Sequence, residues 1–174
     1  MCIRDRSNPK AKTFAGSMTS EIRNPLLAFL AYLWVLPNSL FGVFVGLVGL
    51  ITGGKSQIRR GCIEFYGGFV TWLLKRLGPG GSGVLAMTLG HTIIGQDAQG
   101  LAIARDHEHV HVRQYQCWGP FFIPAYLLCS AWVWLQKKDA YRDNPFEVEA
   151  YRIADPSKVR RQMKSDSDVD SNGT

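Results

Sequence analysis

Three of the chain's four histidines and one glutamate lie together in a short segment. Residues 106–112 read DHEHVHV. His107 and His111 are four residues apart, so on a helix both imidazoles project from the same face, one turn apart. Two imidazoles in this arrangement are a typical pair of ligands for a zinc ion. The segment therefore predicts a metal-binding helix.

Glu108 follows the first histidine of this pair directly. In the spacing H-E-x-x-H, a glutamate at this position lies beside the metal without binding it and can accept a proton from a water that the metal makes acidic. His109 points to roughly the opposite face of the helix, which indicates a packing or surface residue. The pattern thus predicts zinc-dependent hydrolysis with Glu108 as the catalytic base.

A third ligand is expected from another element, because a catalytic zinc ion usually has three protein ligands. Residues 141–151 read YRDNPFEVEAY and place two glutamates, Glu147 and Glu149, on one predicted helix. With Asn144 as the N-cap and Pro145 at the first helical position, Glu147 also fits a capping box. The residues alone leave both glutamates open as the third ligand.

Together these two segments resemble the gluzincin metallopeptidases, in which H-E-x-x-H is followed by a helix that donates a glutamate. In many gluzincins an alanine lies three residues after that glutamate and an aspartate four residues after it. On this resemblance Glu147 is the third ligand, because Ala150 has the matching position. Tyr151 stands where the aspartate would be, although that aspartate normally orients a zinc-bound histidine.

The resemblance extends from about residue 90 to residue 151, where the chain is also similar to a group of small bacterial membrane proteins. It implies a membrane-associated zinc metallopeptidase that hydrolyses a peptide or protein substrate. Zn²⁺ would be held by His107, His111 and Glu147. A non-catalytic metal-binding protein and a purely structural membrane protein are the alternative functions.

Other polar residues are candidates for stabilising a developing oxyanion. They are His91, Tyr115, Tyr141 and Arg152. In a zincin-like domain a strand beside the metal-binding helix holds the extended substrate, and residues 84–94 are predicted to form that strand. Gln114 and Trp118, which continue the metal-binding helix, are predicted to be packing and positioning residues.

The element that precedes this domain is strongly apolar. Leu26–Ile51 contains 26 residues without a charge, and a membrane-spanning helix needs about 20 apolar residues. Pro37 leaves two possibilities, a single kinked helix or a re-entrant hairpin that turns at residues 37–39. Basic residues after this run favour a metal-site domain in the cytoplasm, and the resemblance implies a bacterial inner-membrane protein.

The remaining segments complete the predicted organisation. Ile63–Leu74 predicts a short interfacial or core helix, and Gly119–Leu135 is an apolar run of 17 residues that either dips into the membrane or caps the active site. The predicted regions are a non-native or disordered leader (1–17), a membrane-associated helical region (18–77), a zincin-like domain (84–155) and a disordered tail (156–174). No internal repeat is evident.

The fold class expected from these elements is α+β and mainly helical. An N-terminal membrane helix or helical hairpin is followed by a small zincin-like domain, made of a short β element, the H-E-x-x-H helix and the third-ligand helix. The net charge of +6 suits an anionic membrane surface. Nucleic acid is not expected as a partner, because no stretch interleaves basic and aromatic residues. The partners expected are membrane lipid and a peptide substrate.

Overall fold

A computed structural model describes residues 25–77 and 83–171 of the chain. The leader predicted for residues 1–17 lies outside the described residues. The chain divides into two compact units between Leu33 and Trp34. The described part of the first unit is the beginning of one helix, and all other elements belong to the second unit.

The described residues form helices and a small sheet. The elements are α1 (Pro25–Ile51), β1 (Lys55–Arg59), β2 (Cys62–Tyr66), α2 (Gly68–Arg76), β3 (Ala86–Leu89), β4 (Thr92–Gly95), α3 (Ala98–Trp118), α4 (Phe122–Leu135), α5 (Pro145–Ile153) and α6 (Pro156–Ser171). A 3-10 turn, Gly119–Phe121, joins α3 to α4. The fold is α+β and mainly helical, as the sequence predicts.

The sheet is built from two hairpins in the order β1-β2-β4-β3. Strands β1 and β2 are antiparallel, β3 and β4 are antiparallel, and the two hairpins meet through the parallel pair β2 and β4. The first hairpin turns at Arg60 and Gly61, which both have positive φ, and the second turns at Gly90, where φ is 68°. Such values are typical of two-residue hairpin turns.

Helices cover both faces of this sheet. On one face, Phe65, Leu89 and Ile94 pack in a cluster with residues of α1 and α2. On the other face, Cys62 and Ile93 pack in a cluster with residues of α3. The alternation of neighbouring strand residues between the two clusters follows from the period of two in a β-strand. The metal-binding helix of the sequence analysis is therefore held against a three-layer core.

Two local predictions about the sheet region are wrong. Ile63–Leu74 forms strand β2 and helix α2 instead of one helix, because Gly67 and Gly68, both with positive φ, end the strand and redirect the chain. Residues 84–94 form a hairpin instead of one strand. The glycine at position 90 lies at the centre of that run and allows the turn.

The predicted boundaries also change. The sheet joins strands from both sides of the boundary placed at residues 78–83, since β2 pairs with β4. Residues 156–171, predicted to be disordered, form α6. This helix has recognisable start signals, because the Asp155 carboxylate accepts a hydrogen bond from the backbone N–H of Ser157 at 2.9 Å and Pro156 occupies the first helical position.

Of the two possibilities left open for the N-terminal apolar run, the chain forms a single helix that contains Pro37. A proline removes one backbone donor from a helix, and α1 continues past it without a turn. Two helical stretches, Phe29–Ile51 and Ala98–Leu135, are long and apolar enough to cross a membrane.

Candidate metal centre

The three residues predicted as metal ligands converge in space. His107, His111 and Glu147 each offer one donor atom, and these atoms lie within 4.8 Å of one another. The Nε2 atoms of the two histidines are 3.3 Å apart. All three residues are buried, with 4%, 8% and 3% of their surface exposed. Among the described residues this is a compact set of ligands of the kind that zinc prefers.

Helix α3 brings the two histidines to the core. It begins at Asp97, whose carboxylate accepts a hydrogen bond from the backbone N–H of Gly100 at 2.6 Å, a typical N-cap. The face that carries Leu101 and Ala104 packs on the sheet. The histidines extend from the later turns of the same helix toward α5.

Helix α5 brings Glu147 to the histidines. Its N-cap is Asn144, whose side-chain oxygen accepts from the N–H of Phe146 at 3.0 Å. The amide of Asn144 in turn donates to the carbonyl of Tyr126 at 3.0 Å and to the hydroxyl of Ser130 at 2.7 Å. The cap therefore ties the start of α5 to α4, and the carboxylate of Glu147 is directed to the cluster.

The hydrogen bond of His107 fixes which of its ring nitrogens carries a proton. Its Nδ1 lies 3.1 Å from the backbone carbonyl oxygen of Ala154. A carbonyl oxygen can only accept, so Nδ1 carries the hydrogen and donates it. In the neutral ring Nε2 then holds a lone pair, which is the form that binds a metal.

The same reasoning applies to His111 through Gln114. The side-chain nitrogen of Gln114 donates to the carbonyl of Phe146 at 3.1 Å and to the carboxylate of Glu149 at 3.0 Å. The amide oxygen of Gln114 therefore faces Nδ1 of His111, at 2.8 Å, and accepts its hydrogen. Gln114 thus leaves the Nε2 lone pair of His111 directed at the cluster.

These contacts distinguish between Glu147 and Glu149, the two glutamates that the sequence offers as the third ligand. Glu147 lies in the cluster with the histidines, whereas Glu149 contacts Gln114. Tyr151 packs its ring on that of His107, with centroids 4.6 Å apart. The histidines are thus oriented by a backbone carbonyl and by Gln114, and not by a residue at position 151.

The cluster collects atoms that accept hydrogen bonds without a donor between them. The carboxylate of Glu147 lies 3.3 Å from Nε2 of His107 and 3.4 Å from Nε2 of His111. Its Oε2 atom is buried without a hydrogen-bond partner, which is costly unless a cation balances it. A proton on one imidazole would form a hydrogen bond between only two of these acceptor atoms, whereas a metal ion would bind an acceptor atom of each of the three residues.

The separations are in the range of a metal site. Bonds of about 2.0–2.1 Å to zinc place neighbouring ligand atoms about 3.3–3.4 Å apart. The two Nε2 atoms are 3.3 Å apart. Oε2 of Glu147 lies 3.3 Å from Nε2 of His107, and Oε1 lies 3.4 Å from Nε2 of His111. The two histidines thus contact different oxygens of one carboxylate, and the donor set suits a divalent metal.

Electrostatics keep Glu147 ionised. Burial by itself raises the pKa of its carboxyl, but the adjacent imidazoles of His107 and His111 and the hydrogen bond from Tyr126 outweigh burial, so the pKa is lowered. The Tyr126 hydroxyl donates to Oε1 of Glu147 at 2.8 Å. Tyr126 was not expected at the site, because it lies in an apolar run with no motif around it.

Glu108 lies between the metal cluster and the sheet. It is 5% exposed, and its Oε2 accepts a hydrogen bond from the hydroxyl of Thr88 at 2.8 Å. Thr88 belongs to β3, which lies at one edge of the sheet. This contact was also not expected from the sequence, where Thr88 is one of several β-branched residues.

The residues predicted as oxyanion stabilisers do not all lie at this cluster. Burial, and next the charge of Glu147, raise the pKa of the Tyr141 hydroxyl, which places Tyr141 within electrostatic range of the cluster. Tyr115 packs against Phe122 with ring centroids 4.1 Å apart. Arg152 is exposed on α5.

His91 lies in the turn between β3 and β4 and not on a strand. Its backbone N–H donates to the hydroxyl of Ser39 at 3.0 Å, its Nε2 lies 3.2 Å from the side-chain nitrogen of Gln116, and burial lowers its pKa. Trp118 packs edge-to-face against Phe146, with centroids 5.7 Å apart.

Comparison of the chain with family models, with curated proteins and with solved structures gave no match. The chemistry of this centre is therefore inferred from its own residues: two imidazoles and one ionised carboxylate at metal-ligand spacing, with a buried glutamate beside them.

Proposed function

We propose that the chain is a membrane-associated zinc metallopeptidase of the gluzincin type. His107, His111 and Glu147 hold the metal, and Glu108 is the general base. The observation that carries the proposal is the convergence of two Nε2 lone pairs on a buried carboxylate whose Oε2 has no hydrogen-bond partner.

The number of ligands favours a catalytic centre over a structural one. Structural zinc sites usually have four protein ligands, whereas catalytic sites have three and keep one position open. Among the described residues the group contains three. A bound zinc ion would supply Lewis acidity and a water that ionises near neutral pH.

Glu108 is the residue on this chain that is suited to accept a proton beside the metal. It follows a ligand directly, and the Thr88 hydroxyl holds one of its carboxylate oxygens at 2.8 Å, which limits its rotation. Because Thr88 is on β3, which lies at one edge of the sheet, a peptide that pairs with the outer edge of β3 would lie next to Glu108. This arrangement supports a peptide substrate in an extended conformation.

Localisation is part of the same proposal. Lys55, Arg59 and Arg60 follow the apolar helix α1 and are exposed. Exposed basic residues next to an apolar helix are attracted by the anionic lipids of the cytoplasmic leaflet. We therefore assign the metal centre to the cytoplasmic side of a bacterial inner membrane.

The first test is the metal content of the detergent-purified protein beside the double variant His107→Ala/His111→Ala. About one zinc ion per chain is expected for the native protein, as for other sites with these ligands, and none for the variant. Equal metal content in both would exclude the centre. A folded variant, checked by its circular dichroism spectrum, is needed for the comparison.

A non-catalytic metal-binding protein is the competing function, and the burial of all three ligands favours it, since a closed site admits substrate poorly. The variant Glu108→Gln separates the two functions. In a peptidase it should abolish hydrolysis of a mixed peptide library while zinc content stays at the native value. If native protein loaded with zinc hydrolyses nothing, the binding function stands and the peptidase function does not.

A further inference from the structure

One face of helix α1 is closed against the sheet. Gly42 approaches so closely that a Cβ atom there would lie 2.7 Å from Cβ of Thr92. The hydroxyl of Thr92 donates to the carbonyl of Ser39 at 3.2 Å, and the side chain of Asn38 donates to the carbonyl of Gly119 at 2.9 Å. These contacts hold α1 along the domain by specific polar and backbone interactions.

The opposite face of α1 is apolar and exposed. Its residues recur at helical spacing and are Leu36 (41% exposed), Leu40 (58%), Phe44 (64%), Leu47 (48%) and Ile51 (85%). We call this stripe the outer face of α1. A continuous apolar stripe of this size on a surface indicates contact with another apolar phase.

A second exposed apolar surface lies on the segment that follows α3. The rings of Trp34 on α1 and Phe121 in the 3-10 turn are 6.3 Å apart, and Phe121 is 62% exposed. Along α4, apolar side chains that are 59–71% exposed extend this surface; they are Leu127, Leu128, Trp132, Trp134 and Leu135. Exposed apolar side chains thus cover both α1 and α4, and the contact of Trp34 with Phe121 joins the two segments.

The sheet shows how a membrane can meet this surface. Ser39 contacts the start of β4, and later turns of α1 approach Phe65 of β2 and then Val70 of α2. Helix α1 thus runs alongside β2 and β4 in the same direction. Strand β1 pairs with β2 so that Arg59 lies opposite Cys62, at the end of the sheet that is next to Ser39.

This register places two arginines beside the middle of the apolar helix. The apolar stretch is Phe29–Ile51, and Ser39 is next to its midpoint. If the stretch crossed a bilayer, the turn with Arg59 and Arg60 would lie near the centre of the hydrocarbon. Both arginines are exposed, and exposed arginines at that depth are strongly unfavourable.

The geometry points to a monotopic membrane protein, in which α1 lies along one leaflet and its outer face, together with α4, is buried in lipid. The partner is the surface of a lipid bilayer. In this orientation the sheet and its arginines remain in water, while the apolar surface is buried in the lipid. The assignment does not depend on the proposed peptidase function.

The charge of the chain favours a lipid surface over a second copy of the chain. Exposed basic residues lie in the last turn of α2 or within four residues after the ends of α1 and α4; they are Lys55, Lys75, Arg76, Lys137 and Lys138. Arg76 lies over the ring of Trp72, 4.0 Å from its centroid. Tryptophan and basic side chains are typical of the headgroup region, whereas a symmetric dimer would bring like charges together.

Cysteine labelling in sealed vesicles tests the topology. Three variants each keep a single cysteine and have all other cysteines replaced. The single cysteine is the native Cys2, Ser56→Cys on β1 or Arg160→Cys on α6. Each variant is treated with a maleimide that does not cross membranes. A monotopic protein labels at all three positions from the same side. Labelling of positions 2 and 56 from opposite sides means that α1 crosses. Labelling of positions 56 and 160 from opposite sides means that the stretch Ala98–Leu135 crosses. Either result overturns the assignment.

A binding experiment with the native cysteines supplies the second test. We expect the double variant Leu40→Lys/Phe44→Lys to lose at least about tenfold in partitioning to vesicles of phosphatidylcholine and phosphatidylglycerol. The control Met163→Lys changes an apolar residue that is 40% exposed on α6, which is not part of this surface, and it should bind as the native chain does. Native-like partitioning of the double variant overturns the assignment. So does a lipid-independent dimer that the double variant converts to a monomer.

Discussion

At the scale of single residues, the centre depends on how the two imidazoles are oriented. His107 donates to a backbone carbonyl at Ala154 and His111 donates to Gln114, so neither needs a carboxylate partner. Gln114 is itself fixed by Phe146 and Glu149. The orientation of His111 thus depends on a side chain that can be replaced without changing any ligand.

Replacing Gln114 by leucine should weaken zinc binding by about 10–100-fold, the usual effect of losing a group that orients a metal ligand. Titration against a chromophoric chelator measures the affinity. Gln116→Leu is the matched control, since Gln116 is two residues away on α3 and contacts His91 instead. Equal affinities for the two variants would show that Gln114 does not orient His111.

Cys62 should be far less reactive than Cys117. Burial and, secondarily, Glu64 raise the pKa of the Cys62 thiol from 9.0 to about 11. At any pH below 9 its thiolate fraction is therefore about 100-fold smaller than that of a cysteine with the ordinary pKa. Cys117 is exposed. After brief treatment with iodoacetamide at pH 8, mass spectrometry should find Cys117 alkylated and Cys62 intact. In denaturant both should react, and rapid alkylation of Cys62 in the folded protein would contradict its burial.

At the scale of elements, α3 is joined to the sheet by a buried ion pair. Arg105 Nε lies 2.8 Å from Oε1 of Glu64, and the Glu64 side chain is 0% exposed. Glu64 also accepts from the side chain of Gln57 at 2.6 Å. A second pair between the hairpin and α3, Arg60 with Asp106, is exposed at both ends.

The variant Arg105→Met should destabilise the protein by about 3–5 kcal/mol, because it leaves the Glu64 carboxylate buried without its partner. Arg60→Met removes the exposed pair and should cost about 0–1 kcal/mol. Chemical denaturation in the same detergent measures both variants. A similar loss of stability in both variants would mean that burial of an ion pair does not determine how much the pair contributes to the free energy of unfolding.

The sequence predicted the elements that have strong local signals and missed those that depend on pairing. The spacing of His107 and His111 and the Asn-Pro start of α5 are local, and the structure brings these segments together. Strand β1 has none of the alternation of a half-buried strand, since its residues are mostly exposed. It was missed because only pairing with β2 makes it a strand.

At the scale of the whole molecule, the sheet repeats one motif. A hairpin followed by a helix occurs as β1-β2-α2 and again as β3-β4-α3, and the two motifs join through parallel strands. No repeat is evident in the sequence because the motifs share an order of elements and not residues. The second motif carries both the edge strand β3 and the metal-binding helix, whereas the ligand Glu147 comes from α5, which follows both motifs in the chain.

A metal in the centre would therefore join α3 to the C-terminal helices, and its removal should lower the stability of the whole protein. A ligand present at 100 times its dissociation constant stabilises the folded state by about 2.7 kcal/mol. The midpoint of thermal unfolding should thus rise with zinc and fall with chelator. His107→Ala/His111→Ala should show no response, while Glu108→Gln, which keeps all three ligands, should respond as the native chain does. If the native protein unfolds at the same temperature with zinc and with chelator, the cluster of His107, His111 and Glu147 is balanced by a proton and not by a metal ion.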